Sequence, residues 1–202
     1  MNAQEILASD DFKRCEAFHG HVCGGLAIGY VAAKAGLAWL REKRALDEEL
    51  VAIVETDACC VDAIQVLTGC TFGKGNLIYR DYGKMGFTFF NRRSGQGVRL
   101  AMRQDVFRVN ERQIELFKKM RSGSITDEEK VQLRALGEQR TSEVLDTRAE
   151  DLFNLTAVSA GMPTKPPSNH PNLAPTAASR PCHPGWFRWM ARWSVGSVQP
   201  ES

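Results

Sequence analysis

The stretch ELVAIVETDACCVDAIQVLTG, residues 49–69, decides the fold. Its first half is a continuous apolar, β-rich run, short enough to be a buried strand. Its second half reads as a helix, with Asp57 as candidate N-cap and Gly69 as candidate C′ residue. A strand end that feeds a helix start is a common place for site residues, because unpaired N–H groups and the helix dipole favour negative charge there. Cys59 and Cys60 stand at that start.

Working outward, AQEILASDDFKRCEAF (3–18) reads as one or two short helices and LAIGYVAAKAGLAWLREKRAL (26–46) as a long one. In the latter Leu26, Tyr30, Ala33, Leu37 and Leu40 recur at four- and three-residue steps. On the other side NLIYRDY (76–82), KMGFTFFNR (84–92) and GVRLAMRQ (97–104) read as strands. Val98, Leu100 and Met102 alternate with Arg99 and Arg103, as on a half-exposed sheet. RRSGQG between the last two strands is a hairpin turn with glycines where positive φ is wanted. The run from Thr126 to Phe153 is helical, opening on a Thr126 cap and an acidic first turn. The order helix–strand–helix–three strands–helices predicts an α+β domain with a mainly antiparallel sheet over residues 1–155.

The remaining segment, 156–202, differs in composition. All eight prolines lie at or after Pro163, and Trp186, Trp189 and Trp193 fall within the last 17 residues. It is expected to be an extended, disordered linker and tail. The 202 residues are 43% hydrophobic and 25% charged, ordinary values for a globular protein, and the net charge of +2 argues against a dedicated nucleic-acid binder. No run of apolar residues is long enough for a membrane span and no signal-peptide pattern opens the chain, so a cytoplasmic protein is expected. In that setting the six cysteines are thiols or metal ligands rather than a disulfide framework.

Four potential donors concentrate in two places. In FHGHVCGG, residues 18–25, an extended chain would put His19, His21 and Cys23 on one side and Phe18 and Val22 on the other. Two imidazoles and a thiolate suit zinc or a similar divalent ion. If this helix start and the one at Cys59 converge, His19, His21, Cys23 and Cys59 form a four-ligand set, or three ligands with an open position. Two other readings stand beside this one: a redox thiol site, and buried cysteines that act as small hydrophobes. The spacing matches neither CxxC nor HExxH. Cys60 diverges from Cys59 in a helix start, and Cys15 is expected to be structural. Asp57 is a cap or a catalytic carboxylate; Asp62, one turn in, is placed to accept a hydrogen bond from a ligating histidine. The loop TGCTFGKGN (68–76) falls short of a Walker A pattern, which leaves Lys74 either to meet an anionic substrate or to sit in a plain turn.

The segments FHGHVCGGLAIGY, VETDACCVDAIQVLTGCTFGKGNL and IYRDYGK together closely resemble the FmdE family, named for a component of formylmethanofuran dehydrogenase, over roughly residues 10–150. The resemblance implies a core like the second domain of glyceraldehyde-3-phosphate dehydrogenase, intertwined homodimers, and a cleft where His19, His21, Cys23 and Cys59 match metal ligands. It implies association with molybdenum or tungsten enzyme subunits and one-carbon chemistry, although nothing in this chain resembles the subunits that carry the molybdopterin. Three departures stand out: Gly24 where the family usually has Pro, Cys60 where it usually has Gly, and a tail with Cys182 and His183 where many members carry two CxxC pairs of a zinc finger. The expected function is thus a zinc-binding member of this family, accessory to or acting in an oxidoreductase, with Cys59, Asp57, Asp62 and Lys74 as candidate catalytic residues. The alternatives are a non-enzymatic module for a metal or an oxyanion such as molybdate, and a thiol redox protein using Cys59.

Overall fold

A computed structural model describes residues 1–104, 106 and 111–164 of the chain. Five strands form one sheet: β1 (Leu50–Val54), β2 (Leu77–Tyr79), β3 (Gly86–Asn91), β4 (Gly97–Met102) and β5 (Phe153–Val158), in the order β2-β1-β3-β4-β5. β1 and β2 are parallel and the other pairs antiparallel. A parallel pair needs a crossover, and α4 (Cys60–Thr68) supplies it. Every residue of β1 is buried, which explains its unbroken apolar sequence: it is a central strand covered on both faces.

The described helices are α1 (Ala3–Ala8), α2 (Asp10–His19), α3 (Gly24–Leu40), α4, α5 (Glu111–Ser122), α6 (Asp127–Asp146) and α7 (Ala149–Leu152). α3 lies against β3 and β4, α4 against β1, and α6 against α1 and α3. The sheet face they cover carries Ala52, Phe87, Phe89 and Leu100, with Phe87 edge-on to Phe153 at 6.1 Å. Gly36 of α3 rests on the Phe89 ring so closely that a Cβ there would be 2.3 Å from it. On the opposite face Val51, Ile53 and Phe90 cluster with Ile78, Val158 and Met162. The α+β class and the mainly antiparallel sheet match the sequence reading. Among the described residues no helix is long and apolar enough to cross a membrane.

The structure corrects several boundaries. The long helix stops at Leu40 instead of running to 46, because Arg41 takes a left-handed conformation (φ 55) and its N–H turns back to Ala38. β2 keeps only three residues of the seven expected. The helical run expected from Thr126 to Phe153 breaks at Thr147; a single turn follows and then β5, which pairs with β4. This strand, Phe153–Val158, crosses the boundary expected at 155. Its FNLTAV sequence alternates apolar and polar residues as an edge strand should. The helix N-cap is Cys59 and not Asp57, which is exposed. Of the tail expected over 156–202, residues 165–202, with Cys182 and His183, lie outside the described residues.

Candidate metal centre

Three helix ends meet at one spot: the C-terminus of α2 and the N-termini of α3 and α4. His19 is the last residue of α2. Gly20 follows at φ 93, a conformation open to glycine at no steric cost, and its N–H closes the helix on the Glu16 carbonyl. The chain then runs extended into Cys23, the N-cap of α3, whose Sγ accepts the Leu26 N–H at 3.4 Å. The clustering expected from an extended HGHVC is therefore reached by another route. The left-handed turn at Gly20 folds His21 back beside His19, with ring centroids 4.4 Å apart.

The donor atoms of His19, His21 and Cys23 all lie within 4.8 Å of one another. His19 and Cys23 are half-buried, and His21 is exposed. On the far side of the His19 ring, Nδ1 stands 2.7 Å from Oδ2 of Asp62, in the first turn of α4. That carboxylate orients the ring so that Nε2 faces Cys23 Sγ at 3.8 Å. Two donors of one tetrahedral zinc ion, an imidazole N and a thiolate S, would stand about 3.6 Å apart from the usual bond lengths. The spacing and the N/S donor set both fit a zinc-like ion.

Cys59 joins from α4 as a neighbour of Cys23. Its thiol donates to the Cys23 sulfur, and this contact above all holds Cys23 below the ordinary thiol range, against its own burial; the Leu26 N–H and the two imidazoles act in the same direction. The same contact, with burial and the charge on Cys23, pushes Cys59 above that range. The contact thus favours the thiolate form on Cys23, the N-cap of α3, and the thiol form on Cys59.

The other candidates lie apart from this cluster. Cys60 is fully buried, its Sγ against Met85 Sδ at 3.8 Å, and burial pushes its thiol up to about 12. Cys15 and Cys70 are likewise buried and pushed up to about 11 by desolvation. Lys74 sits past the other end of α4, where its Nζ donates to the carbonyls of Gly69 (3.1 Å) and Leu46 (3.2 Å). It ties down a turn and is not brought to the centre. Asp57 is exposed and makes no hydrogen bond to any of the three clustered donors.

Two residues at the site escape a reading of the sequence. A Cβ on Gly25 would lie 3.0 Å from Cys59 Cβ and 3.7 Å from its Sγ, so glycine is what lets Cys59 approach Cys23. Gly25→Ala is expected to push the two sulfurs apart by a few tenths of an ångström. The Cys23 thiol then titrates higher than in the native chain, as read from thiolate absorbance against pH in metal-free protein; an unchanged titration would contradict it. The second is Arg140 of α6, whose side-chain stem passes 3.4 Å from a Cβ built on Gly24. The GG pair after Cys23 signals the first in principle, whereas Arg140 is 116 residues from Gly24 in sequence and no local pattern marks it.

Comparison with known proteins gives the chain its family. The family model FmdE, described as "Molybdenum formylmethanofuran dehydrogenase operon", matches residues 18–154. A protein of Archaeoglobus fulgidus named "Probable S-adenosyl-L-methionine-binding protein" is 37% identical over 123 residues, 56% of this chain and 34% of that protein. The chain thus spans about a third of the length of that curated relative. A crystal structure of a tungsten formylmethanofuran dehydrogenase FmdE-like protein from Syntrophus aciditrophicus superimposes with a TM-score of 0.49 at 23% identity, covering 79% of this chain and 73% of that one. The family match takes in the histidine motif, the cysteine pair and strands β1 to β4, well over half of the sequence, and the chain belongs to the FmdE family.

Proposed function

We propose that the chain is a metal-binding protein that holds one divalent ion, zinc foremost, on His19, His21 and Cys23, with Cys59 beside them as fourth donor or as guard of an open position. The observation that carries this reading is the Asp62–His19–Cys23 line. A carboxylate 2.7 Å behind one ring nitrogen and a thiolate 3.8 Å in front of the other is how proteins orient a ligating histidine. When bound, the ion would supply Lewis acidity toward an oxygen of a small anionic substrate. The chain's own residues then set the terms: Asp62 fixes the His19 tautomer, the Cys59 thiol holds the Cys23 thiolate, and exposed His21 faces the side from which a ligand arrives. Family membership supports a place in one-carbon or molybdenum/tungsten-enzyme metabolism, in homodimeric form.

Metal content by mass spectrometry of tag-free protein tests this. About one ion per chain is expected in the wild type and in Cys15→Ala, with loss in His21→Ala. Retention in Cys59→Ala would assign three protein ligands and an open position; loss would assign four. A wild type that stays metal-free after reconstitution under reducing conditions would overturn the proposal. It would favour the second reading, a thiol redox protein, which the Cys59-to-Cys23 hydrogen bond supports. Because the Archaeoglobus fulgidus relative is named for S-adenosyl-L-methionine, that compound belongs among the ligands titrated against the metal-loaded and metal-free forms.

A further inference from the structure

We propose a second binding site on the sheet face turned away from α3 and α4, one that takes a small organic anion: a carboxylate or phosphate ester with an apolar body. A cavity of about 410 Å³ opens there, floored by Ile53, Phe90 and Val158. This is within the range of about 300–1,000 Å³ typical of small-molecule sites. The reading does not depend on the metal centre.

The cations around this floor are placed by the backbone. After β2 the chain folds back over the end of β1. The Arg80 N–H bonds the Val54 carbonyl at 2.9 Å, and the N–H groups of Tyr82 and Lys84 both bond the Glu55 carbonyl at 3.3 and 3.2 Å. Arg80, Tyr82 and Lys84 line the cavity and Asp81 does not; a left-handed turn at Gly83 (φ 61) brings Lys84 back to the side of Tyr82. The IYRDYGK segment is thereby a strap that carries two cations and a phenol on one side.

A third cation is fixed from the sheet. Glu55 continues the face of Val51 and Ile53, and its carboxylate lies across Gly86, where a Cβ would be 2.6 Å from Oε2. The carboxylate is nearly buried and accepts from Arg99 Nε (2.9 Å) and Nη2 (2.8 Å). This fork holds the guanidinium still while its Nη1 edge is left unused by Glu55. Glu55 offsets one of the three cations. Arg80 and Lys84 have no ion-pair partner among the described residues, so the cavity keeps an excess of positive charge above an apolar floor. Phosphate and carboxylate groups match that charge and the planar guanidinium donors, and the floor matches the ligand's apolar part.

Isothermal titration of the full chain with phenyl phosphate tests the site, against the double variant Arg80→Gln/Lys84→Gln. Both replaced side chains are exposed, so thermal unfolding should not change. Saturable one-to-one binding is expected at millimolar ligand, weakened at least about tenfold in the double variant and unchanged in His21→Ala. Phenol, which lacks the charge, should bind far more weakly. The proposal fails if phenyl phosphate does not saturate, if the double variant binds it equally well, or if phenol binds as tightly. It fails equally if His21→Ala abolishes binding while the double variant retains it, which would place the anion at the metal centre.

Discussion

Asp62→Ala is expected to weaken zinc binding by roughly ten- to a hundredfold while the chain stays folded. Asp62 touches no metal donor site itself; it acts through His19, whose Nδ1 lies 2.7 Å from Oδ2. A carboxylate can only accept here, so Nδ1 carries the proton and Nε2 keeps its lone pair toward Cys23. Without the carboxylate the ring is free to rotate and to take the other tautomer, and both changes cost affinity before any ion arrives. The negative charge also attracts the divalent cation through the ring, a contribution that Asp62→Asn removes while leaving an oxygen to accept the same hydrogen bond. Asp62→Asn should therefore fall between the alanine variant and the wild type. Asp57→Ala, an exposed carboxylate outside the cluster, should match the wild type. Competition with a chromogenic chelator on protein reloaded with zinc measures all four. Stability should drop little, since a first-turn carboxylate favours a helix by about 0.3–1 kcal/mol. If Asp62→Ala binds zinc as tightly as the wild type, Asp62 does not position His19 and the line through the ring is a structural ion pair.

What can be read in the sequence follows the range of the interactions involved. α3, β1, α4 and the β3–β4 hairpin carry their own signals: apolar spacing, a glycine turn, a buried run between charged flanks. β5 does not, although its FNLTAV pattern is alternating, because its partner β4 lies some fifty residues earlier and the helical residues before it share the same composition. α5 has a single buried residue, Leu116, and offers little periodicity to find. At the site, His19, His21 and Cys23 are close in sequence and visible as a group. The approach of Cys59 and Asp62 depends on how tightly α3 and α4 cross, which no local pattern states. Cys59 takes the place of Asp57 as N-cap for the same reason: where α4 begins is settled by packing on α3, not by side-chain capping, and the Cys59 side chain makes no cap hydrogen bond. Lys74 looks available in the loop because the Leu46 carbonyl that engages it comes from another part of the fold, and the Gly69 carbonyl of the same loop turns toward it only once the loop is folded.

That crossing makes Gly29→Ala the variant with the largest expected cost in stability. A Cβ at Gly29 would stand 2.0 Å from the Cys60 carbonyl oxygen and 2.7 Å from its C and Cα. The obstacle is backbone in the first turn of α4 and cannot swing aside as a side-chain tip would, so the two helices must separate. Alanine gains on glycine in a helix interior by about 1 kcal/mol. Overpacking of a tight contact costs about 1–3 kcal/mol and more where backbone must move, so the net effect is a loss. For a unit of this size each kcal/mol lowers Tm by about 2–4 °C. Gly137→Ala supplies the opposite sign in the same protein: this glycine lies within α6 with nothing within 4 Å of its would-be Cβ, and alanine there should raise Tm by the propensity gain alone. Because α4 carries Cys59 and Asp62, separation of the helices also draws both away from Cys23 and His19. Gly29→Ala should accordingly lose zinc affinity along with stability, whereas Gly137→Ala should gain stability and bind zinc as the wild type does. Equal melting temperatures for the two variants would show that α3 and α4 can slide apart without cost, and the close crossing would no longer explain how the four donors come together.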